Sequence, residues 1–295
     1  MVEAAEHHPE LCAVVAAMAA GTGLNGFARR FSERFYDVGI AEAHAVTFAS
    51  GLAAEDRHPV VAIYATFIQR ALDHAFHDVC LMNLPVIFAL DRAGVVEDGP
   101  THHGIYDLGF WLGMPHLTVM APADESEMAP MLEYAVSLHS PAVIRYPRGA
   151  TGLPVRSPAP LLPGRAEIRR EGTDLAIWAM GGEVTRALTV AELLKQQYQL
   201  SARVVNVRFL KPFDGDALCR DAAAMPVFTL EDHVSATGLG ALAAGILAEA
   251  RLVHSGRNFG WPVDTPIPHG AVDELRRMFQ LDEAALARAI AETVR

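Results

Sequence analysis

The chain has 295 residues, 51% of them hydrophobic and 20% charged, with a formal net charge of −11. That length suits about two domains with well-filled cores, and the negative balance excludes non-specific binding to nucleic acid or an anionic membrane. The longest apolar runs, Val60 to Ala65 and Leu84 to Leu90, are strand-length and too short to span a bilayer.

Strand-like and helix-like segments alternate from the start. Leu11 to Ala16 is a short apolar run, and Arg34 to Ile40 is a second that leads into a helix from about Glu42 to Ala54. Val60 to Ala65 predicts a buried strand, Phe67 to Met82 a helix, Leu84 to Leu90 the next strand and Leu117 to Ala121 another. Asp124 then opens a helix with Glu125 and Glu127 in its first turn, and Pro141 to Tyr146 closes the unit. From Arg148 to Pro163 the chain is rich in Pro, Gly and Ser, which reads as a linker. A second alternation follows: Leu175 to Ala179, a helix near Val184 to Gln197, Ala202 to Val207, a helix after Asp214, Val227 to Leu230 and a helix from about Leu239. Pro266 to His269 and a terminal helix from Asp282 finish it. The pattern predicts two doubly wound α/β domains, residues 1–150 and 166–295 with a linker at 151–165, each a mainly parallel sheet covered on both faces.

Cys12, Cys80 and Cys219 form no CxxC pair and no even framework, so reduced thiols are expected. The N-terminus carries acids, histidines and a proline where a secretory leader has a basic start and an apolar run. Both features point to a cytoplasmic location.

The chemistry gathers at expected strand ends. Glu42 stands where an apolar strand stops and a helix restarts, the edge at which α/β proteins keep their sites. Spacing alone fits two roles equally: a site carboxylate, or a first-turn acid that answers free helix N–H groups. Tyr64 ends one strand, Arg92 lies just past another, and Arg148 lies past a third. Three such donors at neighbouring strand ends favour a phosphate grip over isolated surface ion pairs. Arg70, one turn into the next helix, would line the same opening. The loop Asp98-Gly99-Pro100-Thr101-His102-His103-Gly104 has no apolar periodicity, and a histidine there can exchange protons near neutral pH. Adjacent side chains diverge, so His102 and His103 do not suggest a metal site. His44 reads as a helix packing residue, and Phe67 taken alone as a core aromatic. Glu231-Asp232-His233 followed by Gly238-Leu239-Gly240 is a weak strand–loop–helix signal and reads as architecture or dimer surface.

Several long blocks resemble one family. DVGIAEAHAVTFASGLA, VVAIYATFIQRALDHAFHDV, LPVIFALDRAGVVEDGPTHHG and AVIRYPRG are similar to the middle, pyrimidine-binding domain of 1-deoxy-D-xylulose-5-phosphate synthases, thiamine-diphosphate enzymes of the transketolase superfamily. LAIWAMG, ARVVNVRFLKPFD and FTLEDHVSATGLG resemble the superfamily's C-terminal domain more weakly. The resemblance implies that Glu42 hydrogen-bonds the aminopyrimidine of thiamine diphosphate, with Val38, Ile40 and Val46 as apolar shielding and Ile40 beside the cofactor. It implies that Phe67 stacks on that ring and that His102 acts on the reacting centre. Tyr64, Arg92 and Arg148, with Arg70 and Asp98, would hold an aldose-phosphate-like acceptor. His103 departs from the family's usual THQG, and the loop is one residue shorter before its aspartate, which bears on acceptor contacts.

The resemblance also implies a missing half. Transketolase-type enzymes hold Mg²⁺ and the cofactor's diphosphate with a Gly-Asp-Gly motif and a downstream asparagine in a further N-terminal domain, and this sequence has no such motif. The expectation is the C-terminal two thirds of a synthase or transketolase encoded separately. Such a β-type subunit would pair with a chain carrying the diphosphate domain and Mg²⁺, most simply as α₂β₂. Competing readings are a transketolase proper, the β subunit of a decarboxylating 2-oxoacid dehydrogenase component, and a non-catalytic scaffold subunit.

Overall fold

The computed structural model describes residues 1–149, 159–253 and 255–294, so residues 151–158 of the expected linker lie outside the described residues. Among the described residues, twelve strands carry the architecture: β1 (Leu11–Val15), β2 (Phe35–Asp37), β3 (His58–Tyr64), β4 (Ile87–Asp91), β5 (Thr118–Met120), β6 (Ala142–Arg145), β7 (Glu167–Arg170), β8 (Leu175–Ala179), β9 (Ala202–Asn206), β10 (Phe209–Lys211), β11 (Val227–Val234) and β12 (Asn258–Trp261). They form a seven-stranded sheet in the order β10-β5-β6-β4-β3-β1-β2 and a five-stranded sheet in the order β12-β11-β8-β9-β7. The pairing is parallel except at two edges, β10 on β5 and β7 on β9. The two α/β sheets expected from the alternating pattern are present.

Central strands read as continuous apolar runs because both faces are covered; all seven residues of β3 are buried. The helix Glu42–Ala54 buries Ala45, Val46, Ala49 and Ala53, a three- and four-residue spacing that turns one face to the sheet. The helix Glu125–Ser137 starts where Asp124 accepts the Ser126 N–H at 3.0 Å.

Three expectations change. The run Arg34 to Ile40 yields only the short strand β2, because Gly39 adopts φ +72° and turns the chain outward. The helix expected over Phe67 to Met82 is broken into a 3₁₀ turn at Phe67–Ala71, one α turn at Leu72–His74 and a π-helical stretch at Ala75–Cys80. Pro266 to His269 forms no strand, its prolines being poor ladder donors.

The two halves are not cleanly separate. β10 belongs to the second half by sequence yet adds antiparallel to the first sheet. One buried cluster runs from Val46, Phe88 and Trp111 through to Trp178 and Leu218. Among the described residues, no helix is long and apolar enough to cross a membrane.

Candidate active site

β1 lies between β2 and β3, so the connection from β2 through the helix Glu42–Ala54 to β3 crosses over β1. The connections leaving β1 and β3 run to opposite sides, so the topological switch point lies between those strands, where the carboxyl ends of a parallel sheet open a crevice. Asp37 shapes the turn into the crossover by accepting N–H bonds from Ala17 at 2.9 Å and from Gly39 at 3.0 Å. The turn delivers Glu42 to the first helical position, where it is 6% exposed. Val46 is buried behind it, but Ile40 is 84% exposed and does not shield the carboxylate. The left-handed turn at Gly39 accounts for the difference.

Glu42 accepts a 2.7 Å hydrogen bond from Arg70 Nη1. The same guanidinium lies 5.1 Å from the centroid of the Phe67 ring. Arg70 therefore joins Glu42 to Phe67 rather than turning toward the other arginines. The contacts continue from Phe67 to Tyr64, whose rings stack at 5.4 Å and 16°, and from Tyr64 to Arg92, 3.7 Å from the ring centroid. His102 meets Phe67 edge-on at 5.2 Å, and its Nδ1 pairs with Thr101 Oγ1 at 2.9 Å. Glu42, Phe67, Arg70, Tyr64, Arg92 and His102 thus form one run of contacts.

Tyr64, Arg92 and Arg148 come from the ends of β3, β4 and β6, which are neighbours in the sheet. Arg92 holds φ +58°, a strained value for a branched-free but bulky side chain, and it directly follows the end of β4. It pairs with Asp91 at 3.2 Å and donates to the Gly21 carbonyl at 3.3 Å. Gly21 lets the loop after β1 close over Tyr64, because a Cβ there would collide with the tyrosine hydroxyl. Arg148 and Asp98, both exposed, pair at 3.5 Å. Burial raises the Tyr64 hydroxyl above its ordinary value, with the Arg92 charge acting against it and those of Asp91, Arg148 and Asp98 also felt. Burial likewise raises the Asp91 carboxyl, opposed by Arg92 and Arg148.

The sequence reading named Glu42 and Asp98 but not their pairing with these cations, and it left Asp91 out. Asp91 was visible beside Arg92 at a strand end, whereas the partners of Arg70 and Arg148 are 28 and 50 residues away in the chain and left no local signal. It also missed a buried polar joint beneath the loop: Arg145 donates to both oxygens of Asp107 at 3.0 and 3.1 Å, and His233 Nε2 accepts the Leu108 N–H at 3.1 Å. Glu231 accepts N–H bonds from Leu239 at 2.7 Å and Gly240 at 2.8 Å, so the Glu231–Gly240 segment caps its own helix. His44 is exposed, with its ring 6.0 Å from Phe48. Among the described residues, no group of three or more His, Cys, Asp or Glu side chains is placed to hold a metal ion.

A mainly parallel sheet with an acid beside its switch point, joined to a smaller sheet through a shared core, is the architecture of transketolase-type proteins. Residues 1–154 match the family described as the transketolase pyrimidine binding domain, and residues 164–286 match the transketolase C-terminal domain; the chain belongs to the transketolase family. The 1-deoxy-D-xylulose-5-phosphate synthase of Syntrophus aciditrophicus is 46% identical over 295 residues, which cover 98% of this chain and 45% of that protein. Its counterpart in Magnetococcus marinus is 48% identical over 293 residues, covering 98% of this chain and 47% of that protein. The chain therefore spans about half the length of the curated relatives it matches, short of the two thirds expected. Among solved structures, one described as a split gene transketolase, an inactive beta4 tetramer, aligns with a TM-score of 0.88 at 28% identity over 99% of this chain and 94% of that one. Campylobacter jejuni transketolase aligns with a TM-score of 0.80 over 97% of this chain and 44% of its own, at 19% identity, which bears on the fold alone.

Proposed function

We propose that this chain is the β-type subunit of a split thiamine-diphosphate enzyme that transfers a two-carbon unit to an aldehyde, most simply a phosphorylated one. The observation that carries the reading is the placement of Arg70. A planar N–H donor lies against the Phe67 ring and hydrogen-bonds the Glu42 carboxylate at 2.7 Å. An aminopyrimidine offers the same flat, N–H-bearing shape, so the space between Glu42 and Phe67 fits that ring. When bound, thiamine diphosphate supplies a nucleophilic thiazolium carbon. Glu42 then holds a proton at the pyrimidine nitrogen, Phe67 fixes the ring plane, and His102, at the edge of Phe67, moves a proton at the reacting centre. Tyr64, Arg92 and Arg148 bind the acceptor's phosphate, with Asp98 beside Arg148.

The diphosphate and Mg²⁺ fall to a partner chain bearing the Gly-Asp-Gly motif, in an α₂β₂ assembly. The coverage of about half of each synthase relative and the likeness to a split-gene transketolase both support this division. Identity near 46% favours a synthase that draws its unit from pyruvate, while the split-gene neighbour favours a ketose donor. Reconstitution with the partner separates them: CO₂ release from pyruvate supports the first, and cleavage of a ketose phosphate without CO₂ the second. Tight thiamine-diphosphate binding or two-carbon transfer by the isolated chain would sink the split-subunit reading. A 2-oxoacid dehydrogenase β subunit has no use for three phosphate-gripping groups. A scaffold role requires Glu42→Ala to leave the complex fully active.

A further inference from the structure

The loop leaving β4, from Ala93 to Asp107, carries Asp98 and His102, and the second half of the chain holds it along its length. Asp232 Oδ1 accepts the Val95 N–H at 3.1 Å, and Gly94 packs so closely on that carboxylate that a Cβ would collide with it. Gly99 packs against His269 in the same way. The Ile105 carbonyl accepts the Val234 N–H at 3.0 Å.

His103 sits at the centre of these ties, 2% exposed. Its Nδ1 accepts the Val96 N–H at 3.2 Å, so that nitrogen must present a lone pair. Its Nε2 therefore carries the proton and donates to the Ile267 carbonyl at 3.2 Å, with Pro268 O at 3.4 Å. One neutral tautomer satisfies both ends. Burial, the largest influence on this ring, also pulls His103 below the ordinary histidine range. The neighbouring His102 diverges from it toward Phe67.

We propose that His103 is a positioning residue: fixed as the Nε2–H tautomer between Val96 and Ile267, it clamps the loop to the second domain and thereby sets His102 against Phe67. The proposal deepens the reading in which His102 serves the reacting centre. It gives the C-terminal domain a specific task, that of holding one wall of the site.

The test uses the full chain labelled with ¹⁵N-histidine and ¹⁵N-valine, in wild type, His103→Gln and His103→Leu. Glutamine can accept from Val96 and donate to Ile267, whereas leucine fills the volume and makes neither bond. The wild-type His103 resonances should report the Nε2–H tautomer. In His103→Leu the Val96 amide should exchange at least about tenfold faster, and the His102 resonances should move. In His103→Gln both should return toward wild type. In the reconstituted complex, the leucine variant should lose about tenfold to a hundredfold in kcat with little change in acceptor KM, and glutamine should restore most of it. An Nδ1–H tautomer, unchanged His102 resonances in the leucine variant, or a glutamine variant as impaired as leucine would overturn the proposal. A wild-type complex without turnover would count against the proposed function, while the resonance and exchange results would still decide the clamp.

Discussion

Replacing Arg145 by methionine should destabilise the chain severely, and the structure sets the size. Arg145 is 4% exposed and gives Asp107 two hydrogen bonds, at 3.0 and 3.1 Å, and a third to the Gly104 carbonyl at 3.0 Å. Asp107 has no substitute: His233 Nε2 lies 3.7 Å away and already accepts the Leu108 N–H, so the neutral ring offers it no proton. Arg145→Met therefore strands a buried carboxylate, a loss of roughly 3–5 kcal/mol. Urea denaturation of the chain at pH 7.5, followed by tryptophan fluorescence, measures it; Trp111, Trp178 and Trp261 are all buried. The loss should shrink at pH 5.5. An unpartnered buried carboxyl has a raised folded pKa, so the variant gains stability as pH falls through that value. Removing both charges, as Arg145→Met with Asp107→Leu, should recover most of the loss. Arg148→Met, which breaks an exposed pair at 3.5 Å, should cost less than about 1 kcal/mol. A penalty for Arg145→Met below about 1 kcal/mol at pH 7.5, or one that grows at pH 5.5, refutes the reasoning.

Glu42→Gln should leave the urea midpoint nearly unchanged, since its partner Arg70 is 57% exposed, yet cut the activity of the reconstituted complex by about a hundredfold or more; retained activity would remove Glu42 from cofactor activation. If Arg70 keeps the cofactor's place, Arg70→Met should tighten thiamine-diphosphate binding to the complex by about two- to fivefold in calorimetry, and weaker binding would assign Arg70 to holding the ligand instead. Burial takes His233 from an ordinary 6.5 down to about 4 in the folded chain. Its neutral ring therefore contributes stability that is full above pH 6.5 and lost as pH falls toward 4, roughly 3 kcal/mol in all. His233→Gln should flatten that part of the stability–pH curve, and equal slopes in the two proteins would contradict the assignment.

What the sequence made legible was whatever its local pattern determines. β3 was readable from Val60 onward because a strand covered on both faces is mainly apolar. The helix Glu42–Ala54 was readable from its spacing of small apolar residues, and Asp124 from its place before two acids. The placing of Tyr64, Arg92 and Arg148 at neighbouring strand ends was readable because strand ends converge once the strands are known to be parallel and adjacent. β10 was not, since Phe209–Lys211 earns its place by pairing with β5, some ninety residues earlier. The task of His103 was equally hidden. An adjacent pair of histidines gives no hint that one ring faces Phe67 while the other is buried against Ile267, 164 residues away. Arg70 marks the same limit, because its helical position suggested the phosphate side and the fold gave it to Glu42.

The pairing of every site arginine bears on how a phosphate would be taken up. Arg70 is answered by Glu42, Arg92 by Asp91 and Arg148 by Asp98, so the three cations and three acids balance. A dianion arriving at a balanced cluster must displace a carboxylate from its partner. The pairs differ in how readily they yield. Arg92 is half-buried, stacked on Tyr64 and tied to the Gly21 carbonyl, so moving it disturbs three contacts at once. Arg148 and Asp98 are exposed and meet only at 3.5 Å, a separation and setting in which an ion pair is worth little. On the proposed reading, Arg148 therefore swings to the phosphate while Arg92 waits in place. Asp98, once released, is free to meet the acceptor's hydroxyl groups. Arg148→Lys should then raise the acceptor KM more than it lowers kcat, because a lysine keeps the charge but loses the bidentate grip. An unchanged KM would move the phosphate site away from Arg148.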